Sequence, residues 1–348
     1  MKIKVFFAAD GDCLLLTSAD GHHVLVDGGR TRSFEQHTRP VLQDLVDSGH
    51  AIDLVVVSHI DADHISGVIS LLKDVSAWAV YDYQIGEGRN PTFPQPARPR
   101  PPEIKGLWHN SWRAQLRDLA GPITAFAGRV SAAMELVPTA ATNLPASAQG
   151  VLASVTDLAE SIADGVNLLK LVEDETPIPH NAGFGKLVLL RDPMHVESVG
   201  ATTLKVIGPM EQHLRRLRAE WQKWLEHQLG AVQPQPDPVV GAGISGRHLA
   251  GGELTTAFGL SIDEAESVLA SIAAATEILE KTDAARVTPP NRASITLLAE
   301  ENGKTCLLTG DAAEDELLAG LAAAGCFPDG AAFRCDVLRS NTTAPSTT

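Results

Sequence analysis

The ten residues SHIDADHISG, 58–67, place His59, Asp61, Asp63 and His64 within six consecutive positions. Imidazole and carboxylate groups at that density suit a metal-binding loop, and the mixture favours zinc, manganese or iron over magnesium or calcium. One loop cannot enclose an ion alone, so further ligands must come from later strand ends. The competing reading is a solvated acidic loop with helix-capping aspartates. The preceding residues argue against it, because DLVVVSH, 53–59, is an apolar β-branched run typical of a strand buried on both faces. With His59 ending that strand and His64 opening a helix, all four side chains reach the carboxyl edge of a sheet, where α/β layers bind ligands.

The elements that must hold this loop are legible in outline. VFF, CLLLT and HHVLVD read as short strands, 34–48 and ISGVISLLKDV as helices, and AWAVYDY as another strand. From residue 85 the character changes. GEGRNPTFPQPARPRPPE is too rich in proline for regular structure, and helical stretches follow near 109–119, 124–137 and 150–170. Residues 85–200 are therefore expected to be a largely helical insertion, a candidate lid or partner interface. TLKVIGP resumes the strand pattern, and MEQHLRRLRAEWQKWLE is an amphipathic helix suited to covering a sheet. A helix is predicted over 261–281. NRASITLLAE, TCLLTGD and AAFRCDVL read as strands, with AEDELLAGLAA a helix between the last two. GAGISG, 241–246, superficially suggests a phosphate loop, but proline-rich coil precedes it and a flexible loop is expected.

The composition bounds the partners. The 348 residues carry a formal net charge of −15, with 44% hydrophobic and 20% charged residues. That balance argues against a broad electrostatic grip on nucleic acid, although bound cations can reverse the field of an acidic site. No apolar run approaches the ~18 residues of a membrane span, and the reading is a soluble, cytoplasmic protein without a membrane partner. Cys13, Cys306, Cys326 and Cys335 show no CxxC spacing, so reduced thiols are expected. His22, His23, His109, His213, His227 and His248 read as ordinary histidines. His180, in PIPHNAGFG before KLVLL, is a minor candidate ligand.

SHIDADHISG resembles the HxHxDH signature of the metallo-β-lactamase fold in its HxDxDH form, familiar from the hydrolase-like domain of ComEC-type competence proteins. GDCLLLTSADGHHVLVDGG is similar to that family's opening strands, ending in Asp27-Gly28-Gly29. NRASITLLAEENGKTCLLTGDA is similar to the ComEC-type N-x-S strand and TGDA strand end. The resemblance covers 1–84 and 201–338. It implies a four-layer αββα sandwich interrupted by the 85–200 insertion. It also implies a metal-dependent hydrolase, with one or two zinc ions, or manganese, at a dinuclear site. His59 and Asp61 would serve the first metal and Asp63 and His64 the second, with Asp311 bridging. Asp63 or Asp61 would orient or deprotonate the attacking water. Asp27, Asn291 and Ser294 would support these ligands from behind. The implied substrate is a phosphoester, as a small molecule or nucleic acid.

One element departs from the pattern. In ComEC-type relatives the strand after TGD leads through DVL to an HHGS element whose first histidine completes the site. Here Asp336-Val337-Leu338 is followed by RSNTTAPSTT, and no histidine follows His248. Synonymous codons for LRSNTTAPSTT exist whose shifted frame reads AIQHHGSEHN. The tail 339–348 is therefore expected to be a frameshifted read-out, or else a disordered Ser/Thr/Pro tail, which the coding sequence decides. A site lacking that ligand would leave the C-terminal part incomplete and the enzyme impaired. The alternative function is then a binding or partner module built on the same fold.

Overall fold

Alternation along the strands decides how the layers stack. The computed structural model describes residues 1–136, 159–231, 263–265, 267–268, 293–327 and 332–339. One sheet runs in chain order through β1 (Lys2–Val5), β2 (Leu14–Thr17), β3 (His23–Val26), β4 (Leu54–Val56) and β5 (Leu107–Trp108). Its first two pairings are antiparallel and its last two parallel. A second sheet contains β6 (Val196–Val199), β7 (Thr202–Gly208), β8 (Thr296–Glu301), β9 (Lys304–Leu308) and β10 (Val337–Arg339), in the order β10-β9-β8-β7-β6. Only β9 and β10 pair in parallel there.

Successive side chains on a strand point to opposite faces. Leu14, Leu16, Val24, Val26, Leu54 and Val56 therefore share one face of the first sheet. They meet Leu204, Val206, Leu297, Ala299 and Leu308 of the second in a common core. The intervening Leu15, Leu25 and Val55 are buried on the outer face, as are Ile65, Val68 and Leu72 of the long helix that follows the His/Asp loop. The longer helices among the described residues include α1 (Arg39–Asp47), α2 (Ala62–Ile85), α3 (Ala120–Leu136), α4 (Glu211–Ala231) and α5 (Glu314–Ala323). On the outer side of the second sheet, Ile207, Leu298 and Leu307 pack with Leu321 of α5. Each such aliphatic side chain contributes about 1.5–3 kcal/mol when removed from water. The result is the expected αββα sandwich.

Several elements differ from their sequence reading. AWAVYDY is not a strand but the second half of α2, where neither Gly nor Pro interrupts the run and each added residue extends an existing helix cheaply. KLVLL forms no strand, because the Asn110 side chain takes the Val188 N–H and C=O that a neighbouring strand would otherwise bond. Of AAFRCDVL only Val337 and Leu338 lie in β10, and β1 at Lys2–Val5 shares only Val5 with VFF. β5 and β6 fall inside the stretch expected to be an insertion.

Two compact units are present, one of Met1–Gln115, Asp164–Leu217 and Pro290–Thr348, the other of Leu116–Ala163 and Arg218–Pro289. The whole sandwich belongs to the first. The second contains α3, which buries Ile123, Phe126 and Val130. The expected 85–200 insertion is thus divided between the units. Asn291, GAGISG, most of 261–281 and the tail 340–348 lie outside the described residues. Among those described, no helix is long and apolar enough to cross a membrane.

A charged network ties the segment after β3 to α2. Glu35 accepts hydrogen bonds from Arg39, Ser70 and Arg98, and Arg39 also pairs with Asp74. Burial would raise the Glu35 carboxyl, but these donors and the Arg39 and Arg98 charges outweigh it and hold the pKa at about 2, from an ordinary 4.5. A depressed carboxylate stabilises the fold above its unfolded value and loses that contribution as pH falls through the folded value. With solvent screening this is on the order of 1–2 kcal/mol. Urea unfolding should accordingly show Glu35→Gln less stable than the parent by that amount at pH 6, with the gap closing as pH falls from about 4.5 to 2. An unchanged gap at low pH contradicts the network's role.

Candidate metal centre

The site begins with a turn that only unusual backbone permits. Asp27 closes β3 at φ 56° in the left-handed region, and its N–H donates to the Val56 carbonyl at 2.8 Å, joining the ends of β3 and β4. Gly28 and Gly67 then touch backbone to backbone. A Cβ on Gly28 would lie 2.4 Å from the Val68 nitrogen, and one on Gly67 2.1 Å from the Gly28 oxygen. The contact is pinned by Gly28 N–H to the His64 carbonyl at 2.8 Å and Gly67 N–H to the Gly29 carbonyl at 2.9 Å. The first turn of α2, carrying His64, is thereby locked to the turn carrying Asp27.

Asp27 is 1% exposed, and its carboxylate organises both histidines. Oδ1 accepts from the Ser58 N–H at 2.7 Å, while Oδ2 accepts from Ser58 Oγ at 2.7 Å and from His64 Nδ1 at 3.0 Å. Ser58 Oγ also lies 3.0 Å from His59 Nδ1. The single Ser58 proton goes to the carboxylate, so Ser58 must accept from His59 Nδ1–H. Both rings therefore carry a proton on Nδ1 and turn Nε2 the other way.

What those Nε2 atoms face is Asp311. His59 Nε2 is 3.8 Å from Asp311 Oδ2 and His64 Nε2 is 3.7 Å from Oδ1, with the ring centroids 4.0 Å apart. Asp61 and Asp63 flank the pair, with carboxylate oxygens 3.5 Å from His59 Nε2 and 3.7 Å from His64 Nε2. Neither Nε2 has a hydrogen-bond partner, although both are buried. Buried polar atoms left so are costly. One ligand atom from each of His59, His64 and Asp311 lies within 4.8 Å of the others, which makes the three a candidate metal-binding group.

The opposite wall arrives from far along the chain. Gly310, at φ 49°, packs so closely that a Cβ there would sit 2.9 Å from the Ser58 Cβ. The Ile295 N–H donates to the Ser58 carbonyl at 2.8 Å, and the Asp311 N–H to Ser294 Oγ at 3.2 Å. Ser58 is the point where the two halves meet.

The local electrostatics call for a cation. Burial would lower the His64 pKa, yet Asp27, Asp63 and Asp311 outweigh it and push it up to about 10. Burial raises the Asp63 carboxyl more than His64 lowers it. For Asp61 burial also acts upward, but the neighbouring His59 imidazole outweighs it and the carboxyl is lowered. A divalent ion satisfies the same field and both orphaned Nε2 atoms, and two imidazoles with carboxylates form a chemically fitting donor set.

Of the residues singled out in the sequence, the structure brings His59, His64 and Asp311 together, with Asp61 and Asp63 beside them and Asp27 and Ser294 behind. Asn291 lies outside the described residues. Among the described residues, His180 is not part of the group; it pairs with Leu107 beside β5. Ser58 escaped the sequence reading, although a hydroxyl directly before the first histidine of SHIDADH was the available signal. All four cysteines are free thiols, with Cys13 pushed up to about 12 by burial.

Residues 8–137 match the model of the metallo-beta-lactamase superfamily, a span that holds Asp27 and the 59–64 loop but not Ser294 or Asp311. The two mixed sheets with helices outside are consistent with the α/β sandwich of that superfamily, whose members are mostly hydrolases and usually bind metal ions, commonly zinc. The chain matches no curated protein and no solved structure.

Proposed function

We propose that this protein is a metal-dependent hydrolase of phosphoesters, in the manner of ComEC-type relatives, acting on a small molecule or nucleic acid in the cytoplasm. One observation carries the metal reading: two buried imidazoles, locked by Asp27 and Ser58, turn unpartnered Nε2 atoms toward one carboxylate. The two oxygens of Asp311 face different histidines, which supports a bridging carboxylate between two ions. His59, Asp61 and Asp311 would hold one, and His64, Asp63 and Asp311 the other. Zinc is favoured by the imidazoles, and the many carboxylates keep manganese as the rival.

Bound divalent ions at such a site supply Lewis-acid polarisation and lower the pKa of water toward neutrality. The chain's own residues supply the rest. Asp27 and Ser58 keep both Nε2 lone pairs pointing inward. Asp63, whose carboxyl burial has raised, is suited to accept a proton from the attacking water and return it to the leaving group. Asp61, held ionised by His59, orients.

The test is metal analysis of purified protein followed by hydrolysis of bis(p-nitrophenyl) phosphate with zinc or manganese. The expected result is one or two ions per chain and metal-dependent turnover, reduced at least a hundredfold by Asp63→Asn. A folded protein that retains neither ion refutes the reading. One that binds metal yet hydrolyses no ester would instead be the impaired relative or binding module.

A further inference from the structure

Among the described residues, Arg30 brings a positive side chain to the border of this acidic centre that the hydrolase reading leaves unused. Asp27-Gly28-Gly29 runs directly into Arg30. Its guanidinium makes a two-pronged pair with Asp10, Nη2 to Oδ2 at 2.7 Å and Nε to Oδ1 at 3.0 Å. Asp10 lies in the β1–β2 connection, and that connection rests on the metal loop: a Cβ on Gly11 would fall 1.7 Å from the Asp63 carbonyl oxygen. The pair sits at the rim, with the Arg30 and Asp10 side chains 42% and 59% exposed. The Arg30 charge acts on Asp61, and that of His64 on Asp10. Beside Arg30 opens a cleft of about 410 Å³ whose lining includes Thr31, Ser66, Ser70, Lys73 and Arg98 together with the carboxylates of Asp74 and Asp164. Thr31 Oγ1 donates to the Ser66 carbonyl at 3.3 Å, which places this cleft on the turn of α2 directly after His64.

We infer that Arg30 is the anion-recognising residue of this centre, and that its fork takes two oxygens of a substrate phosphate in place of the Asp10 carboxylate. Asp10, Asp61, Asp63 and Asp311 all repel an approaching anion, so an anionic substrate needs a local cation besides any metal. Arg30 presents its N–H groups as a planar fork, which matches paired oxygens of carboxylate and phosphate alike. Asp10 holds the fork in place as a stand-in, and a solvent-exposed pair of this kind is weak enough to exchange. In the neighbouring cleft Lys73 then offers a cation to the remainder of a phosphoester, with Asp74 and Asp164 limiting how far an anion enters. This deepens the hydrolase reading by naming how its substrate class is held, and rests on that reading for the identity of the ligand.

Inorganic phosphate is the probe, titrated calorimetrically into the full chain with zinc present. Arg30→Gln should weaken phosphate binding at least tenfold, and Arg30→Lys should fall between it and the parent because it keeps the charge but loses the fork. Asp10→Asn should tighten binding severalfold by releasing the fork, an effect no merely structural role predicts. Zinc stoichiometry and thermal unfolding should stay unchanged in all three. Phosphate binding that is absent, that is equal in parent, Arg30→Gln and Asp10→Asn, or that acetate matches in strength overturns the proposal. Intact Arg30-dependent binding with no ester hydrolysis refutes the hydrolase reading alone.

Discussion

Asp27→Asn should weaken zinc binding by at least ten- to a hundredfold, the range typical for losing a group that orients metal ligands. The change preserves size and removes only charge and acceptor capacity. In the parent, Oδ2 accepts two hydrogen bonds, from Ser58 Oγ and His64 Nδ1. An amide nitrogen in that place donates, so it faces two donors and one hydrogen bond must be lost at each. His64 is then free to turn, and Ser58 can release His59 as well. Flipping the amide moves the conflict to Oδ1, which accepts from the Ser58 N–H at 2.7 Å. No orientation satisfies all three donors. Breaking a buried charged network costs about 3–5 kcal/mol, so metal-free protein should also lose stability. Zinc competition titration together with urea unfolding reads both effects. Parent-like zinc affinity in a folded Asp27→Asn chain would contradict the account of how the histidines are held.

The second large effect concerns a residue that makes no polar side-chain contact. Gly67 is the sixth residue of α2, where alanine normally stabilises an exposed helix by about 1 kcal/mol. Here Gly67→Ala should destabilise by about 2–4 kcal/mol instead, because the new Cβ would lie 2.1 Å from the Gly28 oxygen and 2.7 Å from its carbonyl carbon. Both neighbours are backbone and cannot swing aside. Relief requires separating the Asp27 turn from α2, which carries Asp27 away from His64, so zinc affinity should fall along with stability. Gly121→Ala is the control, since nothing lies within 4 Å of its added Cβ. Gly121→Ala should leave zinc affinity unchanged and stability equal or slightly higher. Equal effects from the two substitutions would dismiss the close-approach argument.

The metal loop was readable because its information is local. His59, Asp61, Asp63 and His64 follow a run of β-branched residues that can only be a buried strand, and spacing alone sets them at its end. Asp311 could be placed opposite only through the resemblance of TCLLTGD to a known strand end, since nothing local says which distant aspartate returns. Ser58 was missed because its role is relational: a serine before a histidine is unremarkable until Asp27 and Ile295 are seen to meet at it. The layer order followed from strand alternation, whereas β5 did not, because two residues carry no periodicity. AWAVYDY went wrong for the opposite reason. Its β-forming residues are real, but a helix already begun at Ala62 continues through them at little cost. KLVLL fails as a strand because Asn110, 78 positions earlier, supplies its backbone partners.

The meeting of Ser58 with Ile295 and Gly310 sets a clock on the biosynthesis of this centre. Asp311 leaves the ribosome more than 200 residues after His59, which at ordinary translation speeds is on the order of ten to fifty seconds. Throughout that interval the nascent chain carries the His/Asp loop with no opposing wall. Any ion it captures is held by a half-site that lacks the Asp311 carboxylate and the geometric selectivity that comes with it. If the centre takes a metal as proposed, its full donor set exists only once β8 and β9 dock and Ser58 closes against them. A cation met before that docking would find only half of the ligands.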